Sequence, residues 1–269
     1  MQYDPIKTVL GKFFNRTPQR RKVFYALLDL LLLRAWHIHK ALKTIAAENP
    51  EIKMVLDAGA GFGQYAYYMF RKFKSWQIHG VDINPDQIGD VQQFFANMNA
   101  SDRTSFGVAN LEEFKDPERF DLILCVDVME HIPDDNRVFR NFFDSLKPGG
   151  TLLISTPSDQ GGSDVHDEED SSFIEEHVRD GYNLTEIQKQ LKKAGFTKTN
   201  ARYSYGKPGH ISWLISMKYP IILINRSKWF FLVLPIYYLI FYPVAFVLNV
   251  LDVHLQHRTG TGLIVMAGK

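Results

Sequence analysis

With 269 residues, 45% of them hydrophobic and 23% charged, the chain is long enough to bury a large core. It suits one domain carrying an insertion or a small appendage. A net charge of +1 gives no reason to expect nucleic acid as a partner, and the single cysteine, Cys125, excludes a disulfide framework or a cysteine-rich zinc site and fits a reducing compartment. Met1 to Leu10 is mixed in polarity, with none of the apolar run of a secretory signal, so a cytoplasmic protein is expected. Two charge runs, the basic one ending in Arg20, Arg21 and Lys22 and the acidic one from Asp164 to Glu176, read as solvated surface.

From Arg20 to Ala47 the pattern predicts one helix, with an apolar stripe of helical period through Val23, Leu27, Leu30 and Leu31. Thr17-Pro18 offers its N-cap and first-turn proline, and Asn49-Pro50 its stop. Short apolar runs then alternate with helical patterns. Strands are expected at 54–56, 77–81, 104–108, 120–126 and 151–155, and helices at 64–73, 86–99 and 136–146. A helix at 183–194 stopped by Gly195 and strand-like runs at 196–205 and 263–267 complete the series. The run Phe120 to Val126 is apolar nearly throughout, as a strand covered on both faces would be. Strands alternating with helices imply an α/β doubly wound, mostly parallel sheet with right-handed crossovers.

Asp57-Ala58-Gly59-Ala60-Gly61-Phe62-Gly63 reads as a strand end, a glycine turn and a helix start. Glycines suit a backbone that must turn sharply and approach a ligand closely. The dinucleotide fingerprint requires a glycine where Gln64 stands, so that reading fails. Asp82 ends the second predicted strand, where a carboxylate accepts hydrogen bonds from a ribose diol. Asn84, beside Pro85, is the natural cap of the next helix, which should leave Asp82 free.

These motifs, with Glu130-His131-Ile132-Pro133 and Leu146-Lys147-Pro148-Gly149-Gly150-Thr151, resemble class I S-adenosylmethionine-dependent methyltransferases in order and spacing. The resemblance covers about Ile52 to Tyr205 and the last strand, and is nearest to the ubiquinone-type O-methyltransferase branch. It implies a seven-stranded Rossmann-like sheet and S-adenosyl-L-methionine as cofactor. It further implies that Asp57, Gly59, Gly61 and Gly63 line the methionine end of the cofactor and that Asp82 holds the ribose. Ile83 would lie against the adenine, with Asn110 and Leu111 at its edge, and Val126 and Asp127 near the sulfonium. Asn110 stands where an aspartate is common. The chain then divides into an N-terminal helical region (1–50), a cofactor-binding core (51–210), an apolar helical insertion (211–260) and a last strand (261–269).

Methyl transfer from a sulfonium mainly requires alignment, and an oxygen nucleophile gains by losing its proton. His131, after the fourth strand, and His177, after the acidic loop, are the candidate bases or acceptor contacts; the alternative for His131 is a helix-start histidine bonded to nearby backbone. His37, His39, His254 and His257 read as surface or structural, and no spacing resembles a metal site. The long segment Thr156 to Gly181 reads as a lid at the same sheet edge. A small-molecule or lipid-like acceptor is expected, with a protein or RNA methyltransferase and a non-catalytic binding protein as the competing classes; the acidic loop weighs against RNA.

Trp229 to Leu251 runs 23 residues without a charge, near the length that spans a bilayer. A single crossing would separate two strands of one sheet, so the segment reads as a membrane-surface hairpin at the inner face of a membrane, or as a soluble cap or dimer surface. In the hairpin reading, Pro235 and Pro243 bend the helix so that both ends return to one side.

Overall fold

The computed structural model describes residues 17–161, 178–227 and 229–269. His177 and most of the expected lid lie outside them. The predicted N-terminal helix is two helices, α1 (Pro18–Leu31) and α2 (Leu33–Glu48). Thr17 caps α1, its side chain accepting from the backbone N–H of Arg20 at 3.3 Å. The break is Leu32, whose backbone is extended (φ −88°, ψ 109°). The apolar stripe of α1 points outward: Val23, Leu27 and Leu30 are exposed, while Arg21 and Tyr25 are buried. Arg21 is therefore not solvated surface. Its guanidinium donates to the Tyr25 hydroxyl and to the carbonyls of Asp90 and Phe62, so burial leaves none of its three nitrogens unpaired.

The core alternates as expected. β1 (Met54–Ala58), α3 (Gln64–Lys72), β2 (Gln77–Asp82), α4 (Pro85–Ala96), β3 (Thr104–Val108) and β4 (Phe120–Val126) lead to a 3₁₀ turn at Met129–His131. Then follow α5 (Asp135–Ser145), β5 (Leu146–Pro157), α6 (Leu184–Ala194) and β6 (Lys198–Ser204). Asn84 and Asn183 cap α4 and α6, each side chain accepting two backbone N–H bonds, and Gly195 ends α6 at a left-handed φ of 117°. Lys147 to Gly150, between the expected helix at 136–146 and the expected strand at 151–155, belong to β5, with Gly149 at φ 78° and a register irregularity against β4 between Phe120 and Leu122.

Seven strands form one sheet in the order β3-β2-β1-β4-β5-β7-β6, with β7 (Gly262–Gly268) antiparallel to both β5 and β6. Chain direction reverses its march between β1 and β4, and ligands of such sheets bind at the carboxyl ends beside that switch. Register aligns those ends, pairing Ala58 with Val81 and Cys125, and Val126 with Ser155. Both faces are covered: Met69, Ile78 and Phe95 lie in one apolar cluster, Phe139, Phe142 and Leu191 in the other.

Between β6 and β7 stands a helical hairpin. Its first arm is α7 (Lys207–Trp213), a π turn (Leu214–Lys218) and α8 (Tyr219–Arg226), and its second is α9 (Phe230–His254). The arms run antiparallel: Gly209 bonds Asp252 near the sheet, Ser212 Oγ donates to the carbonyl of Ala245, and Tyr238 Oη to that of Ser216 further out. The hairpin thus begins at Lys207, before the expected 211. α9 continues through Pro235 and Pro243, so the turn after Arg226, and not a proline bend, brings the chain back.

Candidate active site at the carboxyl edge of the sheet

The glycine turn follows β1 directly. Gly59, Gly61 and Gly63 all have positive φ, at 80°, 49° and 75°. The N–H groups of Gly59 and Ala60 both donate to the carbonyl of Val81, at 2.8 and 2.9 Å, and pin the turn to β2. Glycine is required at two positions: a Cβ at Gly59 would collide with Val128 Cγ2, and one at Gly63 would lie 2.9 Å from Val91 Cγ1.

Asp82 sits at the end of β2 as expected, but it is not free. Its two oxygens accept from the N–H of Gly61 and of Asn84, each at 2.9 Å. Asn84 does cap α4; the carboxylate reaches the glycine turn because that turn folds over the end of β2, a contact between loops that no local pattern encodes. Each Asp82 oxygen keeps acceptor capacity for a further donor. Ile83, next to it, is exposed. The Asn110 side chain accepts from the N–H of Glu112 at 3.0 Å and so shapes the turn after β3, while Leu111 is buried beneath it.

Asp57, on β1, is 2% exposed, and its Oδ2 has no hydrogen-bond partner. Burial, with the nearby Asp82 charge adding to it, pushes its carboxyl up to about 7. The unfolded chain releases that proton near the ordinary value of 3.8, so the folded protein holds a proton the unfolded one lacks between these values. Stability of the ligand-free protein therefore falls as pH rises through that window. Asp57→Asn removes the ionisation cost. Its melting temperature should gain on that of the native protein as pH is raised from about 5 to about 8, and parallel melting curves across that range would contradict the assignment.

Val126 ends β4, half-buried. Asp127 follows at a left-handed φ of 50°, its N–H donating to the carbonyl of Ser155 at 2.8 Å. Its carboxylate forms an ion pair with the guanidinium of Arg34 on α2. The backbone N–H of Arg34 in turn donates to the hydroxyl of Tyr205, itself at φ 55°, at 2.9 Å. Two non-glycine residues in strained conformations are thus joined through one arginine. Arg34 and Tyr205 escaped the sequence reading because Arg34 lies 93 residues from Asp127 and 171 from Tyr205.

His131 lies in the 3₁₀ turn after β4, half-buried at this edge, with its backbone N–H bonded to the carbonyl of Val128 at 3.0 Å. The turn is held from below: Glu130 is buried and accepts from the Thr156 hydroxyl at 3.2 Å, and Arg179 bonds the carbonyls of Ile132 and Pro133 and pairs with Asp135.

Residues 21–201 match the methyltransferase domain family. The chain belongs to that family. Phosphoethanolamine N-methyltransferase 1 of Arabidopsis thaliana is 34% identical over 154 residues, which cover 53% of this chain and 28% of the plant enzyme. The ubiquinone biosynthesis O-methyltransferase of Pseudomonas fluorescens Pf0-1 is 33% identical over 106 residues, 39% of this chain and 44% of that enzyme. This methyltransferase-family chain therefore aligns with less than half the length of either relative, and the two acceptor types resemble it equally, so similarity does not single out the ubiquinone branch. Haemonchus contortus phosphoethanolamine N-methyltransferase 2, solved with S-adenosyl-L-methionine, shares the fold with a TM-score of 0.61 at 20% identity, over 97% of this chain and 60% of that one.

Proposed function

We propose that the chain transfers the methyl group of S-adenosylmethionine to a small, apolar or lipid-linked acceptor, at oxygen. The observation that carries this reading is the convergence of the glycine turn, Asp82 and the unpartnered buried oxygen of Asp57 at the β1/β4 switch. These residues suit the cofactor. Asp82 would accept from the ribose hydroxyls, Ile83 would cover the adenine with Asn110 and Leu111 at its edge, and Asp57 offers an acceptor to the cationic methionine end. Gly59, Gly61 and Gly63 leave room for close approach, and Val126 and Asp127 would border the methyl group.

Bound there, S-adenosylmethionine would supply an electrophilic methyl carbon, transferred to the acceptor oxygen as the sulfur keeps the electron pair of the broken bond. The protein's part is to align that oxygen and to take its proton, a role for His131. The Arg34–Asp127 pair closes the edge on the side of α2, and Arg34 and Tyr205 link it to the foot of the apolar hairpin, which favours a greasy acceptor. A second reading, transfer to the amine of a phosphorylated amino alcohol, is favoured by the plant relative's activity.

Deuterated methyl donor incubated with the protein and pooled phenolic quinone precursors, lipid extract and phosphorylated amines separates the two. A deuterated methyl ether in the organic phase supports the first reading and a labelled water-soluble amine the second. Label appearing in protein or RNA alone would overturn both.

A further inference from the structure

We infer that the hairpin α7–α9, with the outer face of α1, docks on a lipid bilayer bearing anionic headgroups. This stands on the hairpin itself and not on the methyl-transfer reading.

The exposed apolar surface is wrong for water and unusual for a protein partner. α9 is 25 residues long, about 37 Å at 1.5 Å per residue. Leu232 and Leu239 are 71% and 77% exposed, and Phe231, Val233, Ile236, Ile240, Val244 and Val247 are exposed as well. At 100° per residue these side chains, together with the exposed Phe241 and Phe246, spread around well over half the circumference, whereas a protein partner covers one stripe. The surface continues onto α1: Tyr242 Oη donates to the carbonyl of Leu30 at 2.6 Å, and Leu30 shares its outward stripe with Val23 and Leu27. A soluble monomer rarely exposes so large a patch.

What the segment does with its polar groups points to hydrocarbon. The hydroxyls of Ser212, Ser216, Tyr237, Tyr238 and Tyr242 are all turned inward onto backbone carbonyls, at 2.6 to 3.1 Å. Lipid cannot satisfy such groups, so a lipid-facing segment must satisfy them internally. Asn249, whose amide has no partner, is fully buried and faces no lipid.

Charge selects the headgroup. From Tyr205 to Leu251 the chain has Lys207, Lys218, Arg226 and Lys228 and no aspartate or glutamate. Lys218 lies over the Trp213 ring at 5.7 Å, midway along the first arm, and Arg226 is exposed at its far end. A hairpin standing across the bilayer would carry one of these cations into hydrocarbon; lying along the surface, it lets both reach phosphate. Both arms also return to one sheet, between β6 and β7, so the contact is made from a single side.

Vesicle flotation of the full chain tests this, with phosphatidylcholine vesicles and with phosphatidylcholine–phosphatidylglycerol vesicles. The native protein should float with both and more strongly with the anionic ones. The triple variant Leu232→Ser, Leu239→Ser, Val247→Ser loses little packing, because its side chains are exposed, and should lower the partition coefficient at least tenfold. Lys218→Gln with Arg226→Gln should weaken the preference for anionic vesicles several-fold while leaving flotation with neutral ones unchanged, and an undiminished preference would overturn the role of these cations. Binding of S-adenosylhomocysteine, measured on each variant, reports the fold and the cofactor site separately from docking. A native chain that stays in the aqueous fraction with both vesicles overturns the inference. So does a lipid-free dimer that the triple serine variant dissociates, which would make a second copy the occupant.

Discussion

Gly59→Ala is expected to weaken binding of S-adenosylmethionine and of its demethylated product by about two orders of magnitude or more. Two costs combine. The residue sits at φ 80°, where an L side chain is strained by roughly 1–2 kcal/mol. The new methyl also meets Val128 Cγ2, and overpacking of this kind costs about 1–3 kcal/mol when neighbours must shift. Either the turn relaxes, pulling the N–H groups of Gly59 and Ala60 off the carbonyl of Val81, or Val128 moves and disturbs the turn that carries His131. Both outcomes displace the proposed cradle. Gly89→Ala is the control, since it lies in α4 with nothing within 4 Å of a new Cβ and should be neutral or stabilising by about 0.5–1 kcal/mol. Calorimetry on the two variants decides the matter. Equal cofactor affinity in both would remove the glycine turn from the site.

His131→Ala should lower turnover by roughly 10² to 10⁴ while cofactor affinity stays close to native. The prediction follows from position. β4 delivers the residue to the carboxyl edge, the 3₁₀ turn fixes its backbone on Val128, and Glu130 and Arg179 brace that turn. Removing the imidazole therefore removes a proton acceptor without removing its support. The informative comparison is turnover against cofactor affinity and melting temperature on the same variant. Normal turnover combined with a lowered melting temperature would instead make His131 a purely structural residue.

Much of this molecule is written locally, and the sequence by itself determined that part. The alternation of strands and helices, the caps at Thr17, Asn84 and Asn183, the stop at Gly195 and the glycine turn after Asp57 each depend on residues a few positions apart. The apolar run of β4 announces a strand covered on both faces, and the two apolar clusters on either side of the sheet cover it. Tertiary structure decided whatever hangs on distant partners. Leu32 breaks the N-terminal helix, and α2 then carries Arg34 to Asp127, two residues whose pairing no periodicity reveals. The stripe Val23, Leu27, Leu30 looks like a core face from its spacing and turns outward, because Arg21 and Tyr25 find polar partners at Phe62 and Asp90. Asp57 is one more strand-end carboxylate until burial leaves one of its oxygens unpartnered, and Asp82 reads as unengaged until the glycine turn folds onto it. The 23 uncharged residues from Trp229 to Leu251 predict an apolar helix. Only the packing of the hairpin decides that the hydroxyls of Ser212, Ser216, Tyr237 and Tyr238 face inward and Leu232 and Leu239 outward, since a helix shows all its sides until neighbours cover some of them.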